Sequence, residues 1–193
     1  MAALDRLIVL FALLSFALFR ADFVVIFAYF FSGIYLLLTR RLPLLLHFSL
    51  STAVAFMWML FAREQYSYNR EFLDLWGINL FAFFAWASGL FAINTIFSHW
   101  KKALHPYGRG VEFLAFLAFY WSLLIFAETL FYHSFGFHNL GTAQYPGLPI
   151  CDCLHAPLWM QVSYFLIGPF YFLLCQGAEK LFWTQKNRLS TRS

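Results

Sequence analysis

The chain has 193 residues, of which 62% are hydrophobic and only 11% are charged. A soluble domain carries about 25% charged residues, so a surface this poor in charge would aggregate in water. The formal net charge of +4 comes from basic residues in short clusters between apolar segments. That distribution leaves no basic face for a nucleic-acid partner. The composition therefore predicts an all-α, polytopic transmembrane helical bundle in contact with the lipid bilayer, folded as a single domain over residues 1–193.

The first apolar stretch of the chain covers residues 7–38 and is interrupted by Arg20-Ala21-Asp22. A membrane-crossing helix needs about 20 mostly apolar residues, so this stretch is too long for one span and short for two. We interpret it as two crossing helices, 7–19 and 23–38, joined by a tight polar turn. A cleaved signal peptide and a re-entrant first hairpin are the alternatives, and either would leave five spans instead of six.

The later apolar segments are closer to the usual length of a span. Gly168-Pro169 lies inside the last segment and predicts a kink there, because proline cannot donate the backbone hydrogen bond of a helix. These segments cover residues 43–62, 75–98, 111–132 and 158–178.

The segment 75–98 carries small residues and two amides that predict contacts between helices. Small residues let helix backbones approach closely in lipid, where there is no hydrophobic force between helices. Asn79 and Asn94 are predicted to hydrogen-bond to neighbouring helices rather than to line a polar cavity. The small residues form one helical stripe, which consists of Ala82, Ala85, Gly89 and Ala92.

The basic residues are distributed unequally between the two sides of the predicted bundle. Of the 13 Lys and Arg residues, Arg20, Arg63 and Arg70 fall on the side opposite the termini, and the remaining ten fall on the side of the termini. The positive-inside rule then places both termini in the cytoplasm, which we expect to be that of a bacterial cell with this protein in its inner membrane. The last loop, 133–157, contains no Lys or Arg and is predicted to face outward.

Reactive side chains are concentrated between Glu128 and His155, where three of the six His and two of the three Cys are found. Glu128 lies about one turn inside the end of its predicted helix, and Tyr132 lies one turn further on the same face. An ionisable residue at membrane depth is costly and is a functional hypothesis by default. The candidate catalytic acids and bases are Glu128, His133, Asp152 and His155.

The same stretch offers nitrogen and oxygen ligands for a divalent metal, the one cofactor that the sequence suggests. Cys151 and Cys153 would add thiolates if they stay reduced, although Cys-x-Cys-x-His is not the spacing of a zinc pair. In the alternative without a site, Glu128 pairs with Tyr132 or with a neighbouring helix. The candidate metal ligands are His133, His138, Asp152 and His155.

Three polar residues near the opposite side have simpler structural explanations. His47 stands alone near a helix end and is predicted to be a packed histidine. Glu112 begins a helix, where its charge is favourable for the helix dipole. Lys101 follows Trp100 in a loop that we expect to anchor to lipid headgroups.

Established catalytic motifs are absent from the sequence, and two functional hypotheses remain. In the first, which we favour, the protein is a non-catalytic subunit, assembly factor or lipid-contacting component. Its loop 133–157 would bind a membrane-protein partner, with Tyr145, Trp159 and Met160 as contacts, or an apolar small molecule. In the second, it is a membrane enzyme acting on a lipid or other apolar substrate. The outer-face metal or acid–base site of that enzyme would consist of Glu128, His133, His138, Asp152 and His155.

Overall fold

The computed structural model describes residues 20–190, with the side chains of Lys102, His105 and residues 182–190 excepted. Within this range, five helices are long and apolar enough to cross a membrane. The chain is therefore an all-α, multi-pass membrane protein whose apolar helices contact the bilayer. The sixth span that the sequence predicts, 7–19, lies outside the described residues.

The five helices follow the apolar segments in chain order, and their ends coincide with residues that favour a helix boundary. The second helix has Pro43 in its first turn, where a missing N–H group costs nothing. The fourth begins after Gly108, whose φ of 89° lies in the left-handed region that glycine adopts freely. We number the helices α1 (Ala21–Leu38), α2 (Leu42–Ala62), α3 (Leu80–Leu104), α4 (Arg109–Thr129) and α5 (Leu158–Ser190).

A short β-hairpin precedes α3 where the hydrophobic pattern predicts that the helix has already begun. Strands β1 (Asp74–Leu75) and β2 (Ile78–Asn79) pair antiparallel. Trp76 and Gly77, between them, both have positive φ, as a tight two-residue turn requires. The side chain of Asn79 then accepts a hydrogen bond of 3.1 Å from the backbone N–H of Ala82. Asn79 therefore caps α3 instead of bonding to a neighbouring helix.

Helix α3 is the centre of the bundle and packs against each of the other four helices. The core is largely aromatic where α3, α4 and α5 meet. The rings of Phe116 and Phe172 stack with their centroids 4.2 Å apart, and Phe97 lies edge-on to both. Aromatic rings in these geometries add to the stability that packing alone provides.

Helix α5 continues through Pro169. Proline has no N–H group, so the carbonyl of Phe165 loses its partner within the helix. The indole Nε1 of Trp121, on α4, donates a hydrogen bond of 3.0 Å to that carbonyl. The hydroxyl of Tyr120 donates to the adjacent carbonyl of Tyr164. Two side chains of α4 therefore bond to the backbone of α5 just before the proline.

The segments 63–79 and 133–157 lie together at one end of the bundle, which we call the loop end. The backbone of Tyr68 forms a β-bridge with Asn139, and the N–H of Asn69 donates to the carbonyl of His138 at 2.9 Å. The start of α1 lies at the same end, because Asp22 accepts a hydrogen bond from the N–H of Leu73. This arrangement agrees with the placement of these segments on one side in the sequence analysis.

At the opposite end, which we call the basic end, Lys101 of α3 joins two other helices by ion pairs. Its Nζ lies 3.2 Å from Glu179 Oε2 of α5 and 3.7 Å from Glu112 Oε1 of α4. Glu112 is buried and also accepts a hydrogen bond of 3.1 Å from Gln176. Glu112 therefore holds helices together, beyond the effect on the helix dipole that its position suggests.

The same network reaches α2 through His47, which is only 5% exposed. His47 Nε2 lies 3.2 Å from Glu179 Oε1, and its Nδ1 lies 3.2 Å from the side-chain nitrogen of Asn94. Asn94 thus contacts a neighbouring helix as predicted. His47 does not stand alone, because residues far away in the sequence provide its partners.

Candidate ligand-binding cavity

A cavity of about 300 Å³ lies between α3 and α4 and extends to the loop end. Its wall on α3 runs from Phe81 to Ile93, which is about 18 Å at the 1.5 Å rise per residue of a helix. Tyr164 of α5 and Val25 of α1 contribute to the sides. The volume is at the lower end of the ~300–1,000 Å³ that is usual for small-molecule sites. The cavity is therefore long enough to hold a hydrocarbon chain.

The small residues of α3 form much of the cavity wall. Ala82, Ala85 and Gly89 line the cavity, and a Cβ built on Gly89 would meet no described atom within 4 Å. Ala92, the fourth member of the stripe, is exposed. At Ala85 and Gly89 the stripe leaves space between helices instead of only bringing their backbones together, which differs from the sequence-based expectation.

The end of the cavity at the loop end carries the polar groups. There the wall includes Glu128 and Tyr132, together with Asn139, Thr142 and His155 from the segment 133–157. The wall at the opposite end is mainly apolar, with Leu90, Ile93, Leu123 and Leu124 beside the ring of Tyr120. The cavity is therefore amphipathic, with a polar region near the loops and an apolar region deeper between the helices.

Glu128 is placed at the polar end by the last turn of α4, which continues as a π-helical turn over Leu130–Ser134. Turns of this kind are frequent at functional sites. Within residues 20–190, no hydrogen bond or ion pair reaches the Glu128 carboxyl, so Tyr132 is not its partner there. Among the described residues that line the cavity, Glu128 is also the only Asp, Glu, Lys or Arg.

Glu128 affects the pKa values of two tyrosines at the start of the first loop segment, 63–79. Burial raises the pKa of Tyr66, and the negative charge of Glu128 adds to this rise. The pKa of Tyr68 is raised well above its ordinary value, mainly by burial and in part by Tyr66 and Glu128. Both tyrosines therefore stay neutral and form part of the cavity wall as hydrogen-bonding phenols.

The hydroxyl of Tyr66 is the centre of a buried aromatic cluster that sequence reasoning did not identify. The indole N–H groups of Trp58 and Trp86 each donate to it at 2.8 Å. Its oxygen also lies 3.2 Å from the hydroxyl of Tyr164. The ring of Trp86 stacks on that of Tyr164 with 5.2 Å between centroids. The only sequence signal for this cluster is the unusual share of Trp, Tyr and Phe.

His155 reaches the cavity because the chain before it adopts an unusual backbone. Asp152 and Leu154 both have positive φ, at 44° and 57°, which is uncommon for residues other than glycine. Cys151 and Cys153 form a disulfide within this segment. Strained backbone of this kind is often found at functional sites. Here it directs two successive side chains, Leu154 and His155, at the cavity wall.

The three loop histidines are grouped around the ring of Tyr132. The centroids of the His133, His138 and His155 rings lie 5.0, 4.4 and 4.7 Å from the Tyr132 centroid. These contacts are packing contacts between rings. They bring together residues that the sequence predicts to share a site, but around an aromatic side chain.

The ring nitrogens of two of these histidines already face protein acceptors. His133 Nε2 lies 2.9 Å from the carbonyl oxygen of Cys151. His155 Nδ1 lies 2.9 Å from the carbonyl oxygen of Tyr145, and its Nε2 lies 3.4 Å from the Asp152 carboxylate. No group of three or more His, Cys, Asp or Glu side chains in residues 20–190 is placed to hold a metal ion. Cys151 and Cys153 form a disulfide and therefore offer no thiolate as a metal ligand.

The residues predicted to contact a protein partner differ in their exposure. Met160 is fully buried in the core, so it is not available at a surface. Trp159 is 49% exposed, but its ring lies 6.1 Å from that of Trp58.

Compared with known proteins, the chain matches no family model, no curated protein and no solved structure. What the structure establishes about its class is that it is a multi-pass helical membrane protein.

Proposed function

We propose that the protein binds an apolar small molecule with one polar end group, held along the cavity between α3 and α4. The observation that carries this proposal is the amphipathic cavity with the Glu128 carboxyl at its polar end. A carboxyl at membrane depth is costly unless it is paired. The described residues provide no partner for Glu128, and the polar end of a bound molecule would be one.

This function is a more definite form of the first hypothesis from the sequence. The segment 133–157 contributes Asn139, Thr142 and His155 to the cavity wall. Its contribution to an internal wall favours a small ligand over a protein partner, because a docking site needs side chains on the outer surface.

Catalysis on the bound molecule is a second candidate function. It is favoured by one observation, which is that Glu128, Tyr132 and His155 line the same cavity. A carboxyl and an imidazole near one substrate are the groups that general acid–base chemistry uses. Asp152 and His133 are not among the residues that line the cavity, so this version of the enzyme has fewer groups than the sequence suggests.

The binding function is tested by filling the cavity and identifying what the protein retains. Gly89→Leu places a side chain in the apolar part of the cavity, where an added Cβ meets no described atom. We expect wild-type protein purified in nanodiscs to carry a specific apolar molecule, detected by mass spectrometry of the extracted lipids. The Gly89→Leu variant should retain at least ten-fold less of this molecule per protein than the wild type.

Gly177→Leu is the matched control for this experiment. Gly177 is also a helical glycine with no described atom within 4 Å of an added Cβ, but it does not line the cavity. It should therefore retain the molecule. Ala85→Leu, at a second position in the wall, should behave like Gly89→Leu. Equal retention by the cavity variants and Gly177→Leu, all monodisperse, would show that the cavity is not a binding site.

A further inference from the structure

The charge on the cavity wall indicates which polar group the ligand carries. Among the described lining residues, Glu128 is the only Asp, Glu, Lys or Arg. His155 lies next to the carboxylate of Asp152, with 3.4 Å between its Nε2 and Asp152 Oδ1. The loop 133–157 contains no Lys or Arg. The polar end therefore has one carboxyl, and no Lys or Arg lines it among the residues that the structure describes.

Arg70 contacts a ring of this wall and has partners within the protein. Arg70 packs its guanidinium over the Phe137 ring, 4.3 Å from the centroid. One of its nitrogens donates to the carbonyl of Phe135 at 3.0 Å. Arg70 itself does not line the cavity.

The same end of the cavity is rich in aromatic rings. The aromatic residues that line the cavity include Tyr66, Tyr68, Trp86, Tyr132 and Phe137. The face of an aromatic ring attracts a cation, and Trp attracts it most strongly. A carboxyl group and aromatic rings in the wall of one cavity are together the kind of groups that recognise an ammonium group. Neutral polar groups gain much less from such rings.

We infer that the ligand is a lipophilic ammonium, a long-chain amine or quaternary ammonium whose charged nitrogen pairs with Glu128. This inference rests on the proposed function. An ammonium supplies the counter-charge that a partly buried carboxylate lacks, and the aromatic faces replace part of its hydration shell. An alcohol would leave Glu128 either charged without a counter-ion or protonated. The hydrocarbon chain lies along the apolar wall that Gly89, Leu90 and Ile93 form.

The test compares three probes with the same dodecyl chain, which are dodecyltrimethylammonium, dodecylamine and dodecanol. Binding of each radiolabelled probe to the protein in nanodiscs is measured at equal probe concentration in the bilayer, with empty nanodiscs subtracted. We expect both cationic probes to bind at least ten-fold more tightly than dodecanol. Glu128→Gln keeps the size of the side chain and removes the charge. It should weaken binding of the cations at least ten-fold and change dodecanol binding less than about two-fold.

Glu64→Gln is the matched control, because Glu64 is an exposed carboxylate at the loop end that does not line the cavity. It should bind all three probes as the wild type does. Equal binding of dodecanol and the cations would overturn the ammonium inference and leave the proposed function standing, provided that Gly89→Leu abolishes binding of all probes. An equal effect of Glu64→Gln and Glu128→Gln would show only general surface attraction, and would also overturn it. No saturable binding of any probe would contradict both proposals.

Discussion

Single residues of this protein stabilise it through one or two hydrogen bonds in an apolar environment. Tyr66 is the clearest case, because one phenol oxygen accepts from Trp58 and Trp86 at the same time. A buried donor that loses its acceptor costs the full desolvation of that group. The wall of the cavity is therefore held by polar contacts as well as by ring packing.

Tyr66→Phe removes that acceptor and should destabilise the protein by about 1–3 kcal/mol, because two indole N–H groups are left without it. The free energy of unfolding in mixed micelles, from a denaturing-detergent titration, measures this change. Tyr107→Phe removes a hydroxyl from a side chain that is 71% exposed and should have almost no effect. An equal loss in both variants would mean that the cluster around Tyr66 does not contribute to stability.

Between α4 and α5, a side chain of α4 replaces the backbone hydrogen bond that Pro169 cannot donate. In lipid, every backbone polar group must find a partner inside the protein. The indole of Trp121 supplies the donor that Pro169 lacks, at the carbonyl of Phe165. The contact both satisfies a carbonyl and fixes the register of the two helices.

Trp121→Phe should destabilise the protein by about 0.6 kcal/mol, the measured average for side-chain hydrogen bonds within membranes, and by no more than about 1.7 kcal/mol, the measured maximum. In the Pro169→Ala background the cost should be smaller, since the alanine N–H can bond to Phe165 within the helix. The double-mutant cycle of these two changes measures the coupling. Trp100→Phe is the control, because Trp100 contacts Phe119 by ring packing. If the changes in the free energy of unfolding from Trp121→Phe and Pro169→Ala were strictly additive, the indole of Trp121 would not replace the missing proline N–H.

The whole molecule is held differently at its two ends. At the loop end, two long segments fold over the cavity and are joined by backbone hydrogen bonds. At the basic end, ion pairs and amides connect α2, α3, α4 and α5. None of the residues in the network at the basic end lines the cavity, so the network fixes the helices without occupying the site.

Lys101→Met removes the only cation that contacts both Glu112 and Glu179 in the described part of the chain. We expect a loss of about 1–3 kcal/mol, less than the ~3–5 kcal/mol for a fully buried pair, because Lys101 and Glu179 are partly exposed to screening. The same detergent titration measures it. Adding Glu112→Gln should restore part of the stability, since it removes a buried charge that has lost its counter-ion and keeps only the contact with Gln176. No recovery would argue against the pairing of Lys101 with Glu112.

Sequence patterns located the candidate site in part. They identified Glu128 because a carboxyl within an apolar helix is unusual, and they identified the loop to His155 from its density of polar side chains. They did not identify Tyr66 or Trp86, because one more aromatic residue in an aromatic-rich chain carries no signal. Whether His133 and His138 form a metal site was also undecidable, since it depends on where each ring nitrogen points after folding.

The sequence by itself determined that this is a multi-pass helical membrane protein, because the length and composition of each apolar segment decide whether it can enter lipid. Only the tertiary structure decided what the segments enclose. A stripe with Ala85 and Gly89 is equally compatible with close helix packing and with empty space. The neighbours on α4 and in the loops, far away in the sequence, made it the wall of a cavity that ends at Glu128.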